Sequence, residues 1–269
     1  MGVMGVADGA GFVEIAGQHL EYRQIPAARG ATSNASCIVM LHEGLGCVGL
    51  WGDFPDRLAS ATGARVFVYS RAGYGHSSPV PLPRPLSYMH DEARDVLPKL
   101  LDTIDFQHGI LLGHSDGASI AAIYAGLFDD PRVKGISLIA PHFIVEDISI
   151  SAIEDARVAY QTTDLRAKLS RWHGHVDVAF RGWNDAWLDP AFRHWDLTPL
   201  LPKIKVPMQI IQGALDQYGT VRQIECAQQH GRRQPRVTLL PDIRHTPHRE
   251  APDATLAALT NFLQDVERA

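Results

Sequence analysis

Six short apolar runs, separated by segments of helical character, constrain the fold of this chain more than any other feature. They read "CIVMLH" (37–42), "RVFVYS" (65–70), "GILLGH" (109–114), "VKGISLIA" (133–140), "MQIIQGA" (208–214) and "RVTLLP" (236–241). Each run is continuous rather than alternating. A strand with one wet face would carry polar residues at every second position, so these runs predict parallel strands covered on both faces. The segments between them, "WGDFPDRLASAT", "SYMHDEARDVLPKLLDTI", "DGASIAAIYAGLF" and "TVRQIECAQQH", predict crossover helices. In the terminal "PDATLAALTNFLQDVERA", Leu256, Leu259, Phe262 and Leu263 recur at helical spacing, and Pro252 suits a first turn. Pro98 predicts a kink in its helix. Before the runs, "FVEI" and "HLEYRQI" alternate around Ala16 and Gly17 and predict a hairpin, followed by a loop over "AARGATSNAS". The expected class is α/β: a mostly parallel, twisted sheet with helices on both faces.

One interval breaks the alternation. Residues 141–199 separate two expected strands by far more than a crossover needs, and they hold Trp172, Trp183, Trp187 and Trp195. The division expected is a core of residues 1–140 and 200–269, with 141–199 inserted as a helical lid or cap over the sheet edge where ligands bind in such folds.

Composition excludes several function classes. The chain has 269 residues, 45% of them hydrophobic and 20% charged, with a formal net charge of −5 and its basic residues scattered. That pattern predicts neither a nucleic-acid partner nor binding to an anionic membrane surface. No stretch reaches the roughly 18 apolar residues of a spanning helix. The N-terminal "MGVMGV" lacks the charged start and apolar core of a signal peptide and has Val6 where a myristoylation site needs Ser or Thr. Cys37, Cys47 and Cys226 lack metal spacing and read as reduced thiols, so a cytoplasmic location is expected. Neither a metal nor another cofactor is expected, since zinc-helix and phosphate-loop patterns do not occur.

The chemistry concentrates at "GHSDG" (113–117), where Gly113 and Gly117 bracket Ser115 in the pattern G-x-S-x-G. The serine follows an expected strand and precedes an expected helix, the context in which this pattern presents a nucleophile on a sharp turn. Small residues after it (Gly117, Ala118, Ala121, Ala122, Ala125 and Gly126) allow that helix to lie close to the sheet. A serine hydroxyl is a weak nucleophile and needs a base held by a third group. Asp216 lies just past one expected strand in "GALD", and His245 lies in the loop after the last, in "DIRHTPHRE". The order Ser, Asp, His is the one that accompanies such a serine turn, with His248 as the alternative histidine. Ser115 would attack, His245 would serve as base and then acid, and Asp216 would hold the imidazole tautomer. The oxyanion needs two N–H donors, expected from Asp116 and from Gly44 or Leu45 in "LHEGLGCVGLW".

Together, "LHEGLG", "YSRAGYGHSS", "GHSDGAS", "GALD" and "RHTPHRE" give the chain a resemblance to the α/β-hydrolase-fold superfamily, and within it to single-domain serine hydrolases with a helical lid. The motifs run in order from about residue 37 to residue 250. The resemblance implies hydrolysis of a small carboxylic ester or lactone through an acyl-enzyme. It equally admits C–C cleavage of a diketone-type substrate, a cofactor-independent lyase or oxygenase, or a slow-turnover small-molecule receptor, and fold-level analogy does not choose among them. The expected partner is an ester-like small molecule, and a monomer and a homodimer are both open. Two positions depart from the family pattern. Glu43 stands where glycine is commoner and is either a pocket carboxylate or a buried structural acid, and Ser70 replaces a common aspartate and reads as structural. His142, Trp183 and Trp187 are further candidates for the pocket wall, with packing as the other reading.

Overall fold

The six apolar runs and the two hairpin strands assemble into one eight-stranded sheet. The computed structural model describes residues 6–28 and 36–268. The features expected at residues 1–5, and most of the loop expected over 27–36, lie outside the described residues. Along the chain come β1 (Gly9–Ile15), β2 (Gln18–Ile25), β3 (Cys37–Leu41), α1 (Phe54–Thr62), β4 (Arg65–Tyr69), α2 (Tyr88–Asp91), α3 (Leu97–Thr103), β5 (Gly109–His114) and α4 (Asp116–Leu127). Then follow β6 (Val133–Ile139), α5 (Asp147–Thr162), α6 (Leu165–Leu169), α7 (Val176–Trp187), β7 (Met208–Gly213), α8 (Arg222–His230), β8 (Arg236–Leu240), α9 (Pro247–Glu250) and α10 (Pro252–Arg268).

The spatial order is β1-β2-β4-β3-β5-β6-β7-β8. The hairpin β1–β2 joins β4 antiparallel, and every other pairing is parallel. From β3 the chain winds outward to β4 and then returns across β3 to β5. That reversal makes a topological switch point, and in open α/β sheets the crevice for ligands lies at the carboxyl ends of the strands flanking it. The loop after β3 and the turn after β5 therefore meet there.

Burial explains the continuous runs of β3 to β7; β8, at the edge of the sheet, is not covered on both faces, and its Leu239 is 45% exposed. Val39, Leu41, Phe67 and Leu111 face one layer of core, built with α2, α3 and α4. Ile38, Met40, Val66, Val68, Ile110 and Leu112 face the other, where α1 contributes Phe54 and Leu58 and α10 contributes Leu256, Leu259, Phe262 and Leu263. Each fully buried Leu, Ile or Phe at these positions stabilises the fold by about 1.5–3 kcal/mol.

Element ends differ from expectation in instructive ways. Most strands stop one residue early; β6, for example, ends at Ile139 because Ala140 turns to φ 46°. The first strand starts at Gly9 rather than Phe12, extending the hairpin. Around Pro98 the chain forms a π-helical turn over Glu92–Val96 and resumes as α3 at Leu97, which places Pro98 in the first turn of α3.

Candidate active site

Ser115 occupies the one-residue link between β5 and α4, at φ 53° and ψ −118°. That conformation is costly for a residue with a Cβ and turns the hydroxyl to the tip of the bend. The flanking glycines make the bend feasible: a Cβ on Gly113 would run into Gly117 O and the Ala118 backbone, and one on Gly117 would strike the Leu41 carbonyl of β3. The Ser115 carbonyl accepts from the amides of Ala118 and Ser119 at 2.9 and 3.0 Å, and its own amide donates to Ile139 O at 2.9 Å. Backbone bonds on both sides thus hold the strained residue.

The loops after β7 and β8 bring Asp216 and His245 together. His245 Nδ1 lies 2.8 Å and 2.9 Å from the two Asp216 carboxylate oxygens, with both side chains buried. Asp216 is itself fixed, accepting from Tyr218 N–H at 2.8 Å, Gly219 N–H at 3.3 Å and Gln212 Nε2 at 2.8 Å. Burial works to raise the Asp216 pKa, but the hydrogen bond and charge of His245 and the Tyr218 amide outweigh it and hold the carboxyl below its ordinary value. With Nδ1–H donated to the carboxylate, Nε2 is the nitrogen left to accept a proton. Ser115 and His245 line one cavity. Among the described residues no hydrogen bond joins them.

The same cavity is bordered by Glu43, Gly44 and Leu45 from the loop after β3, and by His142 just past β6. The amides of Gly44, Leu45 and Asp116 donate to no protein acceptor among the described residues. Helices α5 and α7 contribute Ile153, Trp183 and Trp187, and Tyr218 closes the wall beside Asp216. Among the described residues neither Lys nor Arg borders the cavity. Glu43 combines both expected readings. Its side chain is 21% exposed and borders the cavity, while Oε2 lies 3.4 Å from Nδ1 of the fully buried His114. Burial opposes its charge, but the contact with His114 prevails and keeps the carboxyl well below its usual range.

Other candidates fall elsewhere. His248 packs between Trp51 and His114, with ring centroids 4.8 Å from each, and makes no bond to Asp216. Ser70 donates to Glu21 at 2.6 Å and accepts from Val48 N–H at 2.9 Å, bracing the β3 loop against β2. Trp172 is half-exposed and covers Gly49, and Trp195 stacks on Phe192 outside the cavity. Ile153 and Tyr218 were not anticipated as wall residues; Tyr218 stands two residues past Asp216, a proximity that marks it in retrospect. Among the described residues no cluster able to hold a metal ion occurs, and no helix is long and apolar enough to cross a membrane.

His142 makes a pH prediction. Its ring is buried 5.0 Å from Trp187 and 5.9 Å from His245, and burial first, then the neighbouring His245, lowers its pKa to about 3. The unfolded chain takes up this proton near pH 6.5 and the folded chain only near 3, so the stability held above pH 6.5 is lost as pH falls through that window. A single such group contributes a slope of about 1.4 kcal/mol per pH unit. Thermal melts from pH 7 to 4 should show a shallower acid decline for His142→Phe than for wild type; equal slopes would contradict this origin.

A serine on a strained strand-to-helix turn at the switch point of such a sheet, facing a histidine–aspartate pair from later strand ends, defines the class of α/β hydrolases. The family model of the alpha/beta hydrolase fold matches residues 37–180, and the chain belongs to that family. No curated protein matches the sequence. Among solved structures, an enol-lactonase from Burkholderia xenovorans superposes with a TM-score of 0.71 at 23% identity, covering 94% of this chain and 100% of that one. A proline iminopeptidase from Mycobacterium smegmatis gives 0.75 at 17% identity, covering 96% and 98%. A membrane phospholipase A described as a bacterial virulence factor gives 0.72 at 22% identity, covering 97% and 87%. These likenesses are of fold.

Proposed function

We propose that the protein is a serine hydrolase that cleaves a small, uncharged carboxylic ester or lactone through an acyl-enzyme. The observation that carries this reading is the shared cavity of Ser115 and His245, with His245 bonded through Nδ1 to buried Asp216. His245 Nε2 takes the Ser115 proton as Oγ adds to the substrate carbonyl. The tetrahedral oxyanion then accepts from the amide of Asp116 and from that of Gly44 or Leu45. Collapse expels the alcohol, which takes the proton from His245, and water activated by the same nitrogen then cleaves the acyl-enzyme. Asp216 fixes the tautomer and stabilises the imidazolium. Residues 141–199 act as the lid, an assignment supported by the cavity position of Ile153, Trp183 and Trp187. No step in this scheme calls on a metal or an organic cofactor. Three buried, unpaired cysteines are consistent with a cytoplasmic enzyme.

The choice of uncharged substrates follows from the wall. Apolar groups dominate it, Glu43 supplies a carboxylate, and among the described residues no Lys or Arg lines it to offset a substrate anion. The test is hydrolysis of p-nitrophenyl esters of increasing acyl length, with butyrate compared against the similar-sized, carboxylate-bearing hemisuccinate, and of simple lactones. Neutral short or medium acyl groups should be cleaved, and the anionic ester at least tenfold more slowly in kcat/KM. No turnover on any of these would overturn the ester and lactone reading, and preference for the anionic ester would overturn the charge argument.

A further inference from the structure

Helix α7 touches both halves of the oxyanion site through two tryptophans one turn apart. The Trp183 indole lies against Gly44 so closely that a Cβ there would collide with its ring atoms. The Trp187 indole N–H donates to Asp116 Oδ1 at 3.2 Å and to the Tyr88 hydroxyl at 3.0 Å. The Asp116 carboxylate is fully buried and also accepts from Tyr88 at 2.6 Å. Arg71, equally buried, completes the connection. Its Nη2 lies 3.9 Å from Asp116 Oδ2, and its guanidinium donates to the carbonyls of His42 at 2.5 Å and Glu43 at 3.2 Å. Its backbone N–H meets His42 Nε2 at 3.0 Å.

The Asp116 amide and the Gly44 or Leu45 amides are the donors assigned to the oxyanion above, so this inference rests on that reading. They come from different elements, α4 and the loop after β3. An oxyanion hole works only when its donors hold a fixed separation, and a misplacement of about 1 Å can lower rate a hundredfold. We propose that Asp116 and Trp187 are positioning residues for the oxyanion hole, and that α7 clamps its two halves in register. Trp183 presses on one half, Trp187 tethers the other, and Arg71 ties the loop carbonyls to the same carboxylate. A displacement of α7 would therefore loosen the hole as well as open the cavity, so that catalytic competence is tied to the seating of this helix.

Trp187→Phe keeps a ring and removes the N–H; Asp116→Asn keeps the shape and removes the charge that Trp187, Tyr88 and Arg71 share. Each is to be measured for kcat and KM on the best ester, for affinity toward a trifluoromethyl ketone that captures Ser115 as an oxyanion-bearing hemiketal, and for melting temperature. The expected result is a kcat lowered roughly tenfold to a hundredfold with KM within about threefold, and ketone affinity lowered in parallel with kcat. A packing role alone would shift the melting temperature and leave the ratio of ketone affinity to KM unchanged. Folded variants with wild-type kcat and ketone affinity would overturn the inference, and if one variant does not fold, the other decides. Wild-type protein inert toward every ester and toward a fluorophosphonate would overturn the hydrolase reading beneath it, an outcome separable from active wild type with unaffected variants.

Discussion

Ser115→Ala should lower ester turnover by about 10⁴-fold or more, because covalent catalysis ends when its nucleophile is removed. The fold should be indifferent to the change. Among the described residues the hydroxyl donates no hydrogen bond, while the backbone bonds that hold the bend run through Ser115 N and O and survive in alanine. The check is kcat/KM beside a thermal melt. Loss of activity with a melting temperature within a few degrees of wild type matches the account, and wild-type turnover in a folded variant would remove Ser115 from the mechanism.

Asp216→Asn should be nearly as severe, on the order of 10⁴-fold, with the cavity almost unchanged in shape. The carboxylate accepts from His245 on both oxygens and also from Tyr218, Gly219 and Gln212. An amide in its place must turn its NH₂ toward some of these donors, which either strands them or reverses the imidazole tautomer. The pH dependence of stability provides a second reading. Because the native Asp216 pKa is depressed below 3.8, its contribution is present above that value and is lost as pH falls through the lower, folded value. The Asn variant should lack this most acidic part of the wild-type decline, while retaining the part that His142 contributes at higher pH. Near-normal kcat in Asp216→Asn would point to a different acid.

How much was legible from sequence follows the range of the interaction involved. The strands β3 to β7 could be read because both faces of each are largely buried, which leaves an uninterrupted apolar run, whereas the apolar run of β8 lies on an exposed edge strand. The serine turn could be read because its constraint is steric and local: Gly113 and Gly117 are dictated by atoms a few residues away or on the adjoining strand. Asp216 and His245 could be nominated from their places after strands, and the structure sets them within hydrogen-bond distance. The spatial order of strands was not legible, since no local pattern says that β4 lies on one side of β3 and β5 on the other. Nor was the partnership of Arg71, Tyr88, Asp116 and Trp187, four residues separated by up to 116 positions whose polar groups meet only after the sheet and α7 are assembled. Glu43 was marked by its departure from glycine, but its dual setting depends on His114, which nothing in the loop announces. The π-helical turn before Pro98 belongs to the same category: proline forbids one geometry locally, and packing selects which alternative forms.

The most direct measurement is reaction of the wild-type protein with a fluorophosphonate, followed by peptide mapping of the adduct by mass spectrometry. The account predicts one phosphonyl group per chain, on Ser115, and its near-absence in His245→Ala, where the hydroxyl has lost its base. No adduct on native, folded protein, or an adduct at a residue other than Ser115, would contradict the assignment of this site as that of a serine hydrolase.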